Sequence, residues 1–352
     1  MFPTFGAFDG VSVDGGDLAI SGWLTTEAQE PIDAIQICNG LRILPQGTAA
    51  LHLPSPDVMR HYPTLKNADQ CRFQLRVPIT PEESEHVSTS LLRLIPQSQG
   101  RDLGSLPLML ESPLPPPRPE DIALVGGGFL QVACSFLSYM IDLAGLTPDC
   151  DVLDVGCGFG RIAHAFVNYL HPSAHYAGFD VVPRMIDWAQ TTITPRYPNF
   201  EFKCVDLYNA TYNPNGKLQS RDLRFPYEDS SFDMVFLTSV FTHMHGDDVR
   251  HYLDEIRRVL RPGGRCLATC FLLNDETHDL IRQGRSLQNL VHPFHEGFVA
   301  DLANPEQAIG FPEPAFLGWI SDRGFSILGE YLGVWRGQAA LPYYQDMVVF
   351  KK

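Results

Sequence analysis

Two rhythms of apolar and polar positions divide the chain. In its first third, apolar residues alternate with polar ones in short runs broken by turn residues. The run VSVDGGDLAISGWLTT alternates on both sides of Asp14-Gly15-Gly16, IDAIQICNGLRIL alternates around Asn39-Gly40, and CRFQLRVPI and LLRLIP add two more. A period of two puts every second side chain on one face, so these segments predict the hairpins of a small antiparallel β-sandwich. Beyond residue 122 the rhythm changes to apolar runs alternating with helical spacing, which predicts parallel βαβ units in a doubly wound α/β sheet. In DDVRHYLDEIRRVLRPGG, Val249, Leu253, Ile256 and Leu260 share one helical stripe; Asp247 or Asp248 is placed to cap its start and Pro262-Gly263-Gly264 to stop it. RCLATCFLL then reads as a buried strand, and Ile162, Phe166 and Leu170 as the stripe of an earlier helix.

Between the two rhythms, ESPLPPPRPED sets five prolines in the seven residues from Pro113 to Pro119, a composition that favours extended polyproline II. It predicts a linker at 113–121 between a sandwich at 1–112 and the α/β domain at 122–352, and a chain of 352 residues is long enough for two cores. The charge balance sharpens the functional classes: 26 Lys and Arg against 41 Asp and Glu leave a net −15, with no basic patch to hold a nucleic acid. Eight cysteines without CxxC spacing read as reduced, buried thiols of a cytoplasmic protein, so neither a disulfide framework nor a metal site is expected. MFPTFGAFDG lacks a basic leader, and no run reaches about 18 apolar residues, so secretion and membrane spanning are not expected.

Candidate chemistry begins at DVLDVGCGFGR, residues 151–161. A dinucleotide fingerprint would need glycine at position 161, which is Arg161. Instead Asp154 ends a strand and Gly156, Gly158 and Gly160 follow, a carboxylate beside bare backbone that suits a ligand with an ammonium group and a ribose. Asp180, 22 residues after Gly158, ends the next predicted strand, where it can accept both ribose hydroxyls; Asp206 ends the third, where it can accept from an adenine amine. The order DVGCGFGR, GFDVVP, VDLYN, FPYEDSSFDMVFLTSVFTHM and VLRPGG resembles the class I S-adenosylmethionine-dependent methyltransferases over residues 122–352. TPRYPNFEF, YNATYNPNGK, VWRG and YQDMVVFKK resemble a bacterial subgroup associated with sugar and polysaccharide modification. The resemblance implies a mostly parallel Rossmann-like sheet with an antiparallel last strand, and S-adenosylmethionine as cofactor. It implies that Gly156, Cys157, Gly158 and Gly160 underlie the methionyl end, that Asp154 orients the turn and helps hold the ammonium, and that Arg161 pairs with the cofactor carboxylate. Asp180 would bind the ribose, Val181 and Met185 flank adenine, and Asp206 with the Leu207 backbone read its edge.

A hydroxyl acceptor benefits from a base. His243, just beyond the fourth strand, is either that base or a cap of local backbone, and His295, in a long insert between Leu273 and Phe325, is the second candidate. Trp335, Arg336, Tyr344 and Asp346 bracket the last hairpin; they read either as a sugar-binding set or as core aromatics with an ion pair. Trp23 and Tyr62 carry a similar ambiguity in the sandwich. The expected function is O-methylation of a glycan or glycosylated small molecule. The alternatives are N- or O-methylation of a specialised metabolite or peptide, and a non-catalytic binding protein on a structural cofactor fold. The partner expected is a small-molecule or glycan acceptor.

Overall fold

A computed structural model of the protein describes residues 4–26, 31–39, 42–62, 67–86, 91–109, 111–126, 128–209, 212–337 and 344–352. Gly40 of the second predicted turn lies outside the described residues. The chain divides into two compact units, one of residues 1–145 with 161–169 and one of residues 146–160 with 170–352.

In the first unit, β1 (Thr4–Asp14) and β2 (Asp17–Thr26) form a hairpin across Gly15 and Gly16, both at positive φ, as the turn requires. There follow β3 (Ala34–Asn39), β4 (Arg42–Ile43), β5 (Thr48–Leu53), α1 (Pro56–His61), β6 (Arg72–Pro78), α2 (Pro81–His86), β7 (Leu92–Ser98), β8 (Arg101–Asp102) and β9 (Leu106–Leu108). They make two antiparallel sheets, β1-β2-β6-β5 and β4-β3-β7-β8 with β9 beside β7. Leu18, Ile20, Phe73 and Leu75 of one sheet and Ile37, Leu92, Leu94 and Leu108 of the other belong to a single buried core. Trp23, its ring 5.5 Å from that of Tyr62, packs on a satellite of Val58, Ala68 and Cys71.

The proline run departs from its expected role as a boundary. It lies within the first unit, and Pro119 opens α3 (Pro119–Val125), where a missing N–H costs nothing. The next helix, α4 (Phe129–Asp142), also belongs to this unit: Ser105 donates its N–H and its hydroxyl to Asp142 Oδ2, each at 2.9 Å, and bonds Ser138. The helix expected over RIAHAFVNYL shrinks to one turn, α5 (Ala163–Phe166), flanked by irregular turns.

The second unit is built on a seven-stranded sheet. Its first strands and helices are β10 (Val152–Val155), β11 (Tyr176–Asp180), α6 (Pro183–Thr192), β12 (Phe200–Cys204), β13 (Phe232–Leu237), α7 (Gly246–Val259) and β14 (Leu260–Cys270). An insert holds β15 (Leu272–Leu273), α8 (Asp275–Arg282), β16 (His292–Phe294), β17 (Gly297–Val299), β18 (Ile309–Pro312) and α9 (Glu313–Asp322), and β19 (Ser326–Tyr331) and β20 (Asp346–Lys351) close the chain. The order is β12-β11-β10-β13-β14-β20-β19, parallel as far as β14, with β20 antiparallel to both neighbours. Strands β10, β11 and β13 are buried almost throughout, which is why they read as apolar runs, whereas the edge strand β12 alternates buried Phe200 and Phe202 with half-buried Glu201 and Lys203. Helix α7 stops before Leu260, ahead of the expected Pro-Gly-Gly, because β14 already begins there and takes up those residues in a bulge against β13. Its N-cap is His245 rather than an aspartate; Asp247 pairs with Arg250 instead. No helix among the described residues is long and apolar enough to cross a membrane.

Candidate functional site

The carboxyl ends of β10, β11 and β13 converge on the glycine turn. Asp154 is buried one residue before the carboxyl end of β10, where Oδ2 accepts from the Tyr176 hydroxyl at 2.5 Å and Oδ1 has no partner. The groups acting on it are Tyr176 and Asp180, neither of them a cation, and burial pushes its carboxyl up to about 8. Burial therefore favours the protonated acid until a donor or cation reaches Oδ1. Gly156, Gly158 and Gly160 have φ of 78°, 53° and 70°, the left-handed region that favours glycine. At Gly156 the restriction is also one of space, since a Cβ would lie 2.6 Å from Val240 Cγ2. The turn is tied to β11 by the N–H groups of Gly156 and Cys157, which donate to the Phe179 carbonyl at 2.9 and 3.1 Å.

Asp180, half-buried at the end of β11, clamps the turn. Oδ2 accepts from Gly158 N at 2.8 Å and Oδ1 from Val182 N at 3.0 Å. Burial raises its carboxyl above the usual range against these bonds. Met185, buried on α6, lies beside Gly158, and Val181 is half-buried between the two elements. Asp206 stands two residues past the end of β12, exposed, its carboxylate 3.6 Å from Lys217 Nζ and its carbonyl accepting from Lys217 and Leu218. Leu207 is buried and pairs with Leu218. Arg161 belongs to the first unit, where it donates to the Gly126 carbonyl at 2.7 Å and lies over the Phe129 ring.

Past β13 the chain turns sharply. Ser239 is left-handed at φ 59° and its N–H donates to Thr269 Oγ1 of β14 at 2.7 Å, which launches a 3₁₀ turn, Phe241–His243. His243 is half-buried and its Nδ1 lies 2.7 Å from the Glu306 carbonyl. A carbonyl only accepts, so Nδ1 carries the proton and Nε2 keeps its lone pair. His245 lies 3.7 Å from Glu306 Oε1. His295 is exposed at the tip of the β16–β17 hairpin, at φ 50°, with its ring against Phe294 and His245.

The proposed sugar-binding set is corrected by burial. Trp335 has no exposed surface; Nε1 donates to Asp346 Oδ2 at 2.9 Å. Arg336 is 2 % exposed and donates through Nε to Asp346 Oδ1 at 2.9 Å and through Nη2 to the Leu272 carbonyl at 3.1 Å. Asp346 further accepts from Leu272 N and Gly333 N at 2.8 and 2.7 Å. These three residues lock the ends of β14, β15 and β20 together and offer no face to a sugar. Tyr344 alone of the set is exposed, its hydroxyl donating to Gln288 Oε1 at 3.1 Å. Sequence reasoning missed Tyr176, Val240, Thr242, Glu306 and Gln345. Tyr176 and Val240 lie in apolar runs that give no polar signal, and the others are single polar residues whose partners are remote in sequence.

A family model described as a methyltransferase domain matches residues 152–264. An uncharacterised 37.1 kDa protein from a Streptomyces fradiae transposon is 31 % identical over 133 residues, 38 % of this chain and 33 % of that protein. Demethylmenaquinone methyltransferase of Tropheryma whipplei is 31 % identical over 128 residues, 36 % of this chain and 44 % of its own length. The chain thus spans a third to under half of these curated relatives. A solved S-adenosylmethionine-dependent methyltransferase from Methanosarcina mazei is 22 % identical, with a TM-score of 0.41 over 59 % of this chain and 94 % of that one. Residues 152–264, which hold the glycine turn, its aspartates and the His243 turn, match a methyltransferase domain.

Proposed function

We propose that the protein transfers a methyl group from S-adenosylmethionine to a hydroxyl of a glycan or glycosylated small molecule, with His243 as general base. The observation that carries the reading is the His243 geometry: Nδ1–H is committed to the Glu306 carbonyl, which leaves Nε2 basic at the carboxyl edge of the sheet. The cofactor, when bound, supplies an activated methyl group on a sulfonium. The unpaired Asp154 Oδ1 and the side-chain-free turn of Gly156, Gly158 and Gly160 fit its ammonium and methionyl end. Asp180, each of whose oxygens keeps a second lone pair, is assigned the ribose, Val181 and Met185 the adenine faces, and Asp206 with Leu207 its edge. His243 Nε2 takes the hydroxyl proton as the oxygen attacks, and the imidazolium so formed is stabilised by the Glu306 carbonyl.

The shared core of the two N-terminal sheets supports reading them as an accessory β-sandwich. The eight free cysteines support a reducing, cytoplasmic setting. The reading is tested by His243→Ala. Turnover should fall about a hundredfold or more while cofactor affinity by calorimetry and melting temperature hold. Parallel losses of melting temperature and cofactor affinity would make His243 a structural cap instead.

A further inference from the structure

A second polar group, one that proton removal does not use, stands beside Thr242, the residue that precedes His243 in the turn. Gln345 directly precedes Asp346, whose backbone pairs with Cys270 at the end of β14, so Gln345 lies at the same carboxyl edge as the Phe241–His243 turn. It is 7 % exposed. Its Nε2 donates to Thr242 Oγ1 at 3.5 Å, and its Oε1 has no partner. Asp346, its neighbour, is fully engaged with Trp335 and Arg336, so Gln345 is left out of that network. Glu306 repeats the pattern, with its carbonyl on His243, Oε1 near His245 and a buried Oε2 without a partner. Around one 3₁₀ turn, two buried acceptor oxygens therefore lack a donor, Gln345 Oε1 and Glu306 Oε2, close in the fold to the residue pair Thr242 and His243. A buried acceptor without a donor is costly, and a ligand that donates relieves that cost where one that cannot donate does not.

We infer that Gln345 is a specificity-determining residue of the acceptor site, its amide receiving a hydroxyl next to the one His243 deprotonates, so that the acceptor is a polyhydroxylated molecule. The inference rests on the reading of this edge as the acceptor site. Gln345 moves no proton and holds the acceptor equally before and during transfer, so its loss appears in KM and leaves kcat in place.

The test uses the full-length protein, labelled S-adenosylmethionine, and a panel of methyl hexosides and methyl 6-deoxyhexosides with their monodeoxy analogues. Gln345→Met, which keeps length and removes hydrogen bonding, should raise the acceptor KM about tenfold to a hundredfold at unchanged kcat, cofactor affinity and melting temperature. Gln345→Glu, which keeps an acceptor oxygen, should restore part of the loss. The analogue lacking the recognised hydroxyl should be as poor for the wild type as the parent sugar is for Gln345→Met, and the variant should lose nothing further on it. Wild-type KM in both variants would overturn the role of Gln345 and leave His243 as base untouched. If Gln345→Met fails to fold, the analogues decide on the wild type alone, and unchanged KM on every one of them overturns the inference. A protein that binds cofactor yet methylates no member of the panel overturns this inference and the glycan reading together.

Discussion

At the scale of single residues, burial decides the chemistry more than residue type does. Asp154 and Asp346 are both buried aspartates near strand ends, but Asp346 faces a guanidinium, an indole N–H and two backbone N–H groups, while Asp154 has one tyrosine hydroxyl. With its pKa pushed up to about 8, Asp154 binds a proton more tightly in the folded than in the unfolded protein. Its contribution to stability is therefore fully present below about pH 4, the ordinary carboxylate range, and is lost as pH rises through about 8. Without cofactor, the wild-type melting temperature should fall across that window relative to Asp154→Asn, whose profile should be flatter; parallel profiles would refute the assignment. Asp346→Ala leaves Arg336 buried without its carboxylate and should cost about 3–5 kcal/mol in denaturant unfolding. A loss of sugar affinity at full stability would restore the binding role.

At the scale of elements, the glycine turn is held by what it touches. Asp180 bonds the N–H groups of Gly158 and Val182, so it joins the turn to the start of α6 besides any part it takes in holding ribose. Asp180→Ala should therefore lower the melting temperature and weaken S-adenosylmethionine binding in calorimetry. Asp180→Asn keeps one acceptor oxygen and should lose affinity with a smaller stability loss. At Gly156 a methyl group meets both a left-handed φ and the Val240 side chain. Gly156→Ala should cost about 1 kcal/mol or more in stability, and Val240→Ala in the same chain should recover the part due to contact, which a double-mutant cycle measures.

At the scale of the molecule, the compact units do not follow the proline run. Helix α4 is bound to the strand side of the first unit through Ser105, Ser138 and Asp142, and burial raises the Asp142 carboxyl. A fragment of residues 120–352 would leave that carboxyl without its Ser105 donors. It should melt lower than the full chain, and a fragment as stable as the full chain would restore the boundary at the prolines.

The sequence by itself determined what depends on near neighbours. The period of two across Gly15 and Gly16, the stripe of α7, the positive-φ glycines after β10 and the aspartate ending β11 are all set within a few residues, and each was readable there. Only the tertiary structure decided which polar side chains are spent on one another. Asp346 meets Leu272 across 74 positions, Ser105 meets Asp142 across 37, and Glu306 meets His243 across 63. Such pairings turn Trp335 and Arg336 from sugar ligands into core, tie α4 into the first compact unit, and leave Gln345 with an unmatched oxygen. Burial and partner choice are properties of the packed chain: the free energy of a buried polar group is set by what the fold places opposite it, and no local pattern records that.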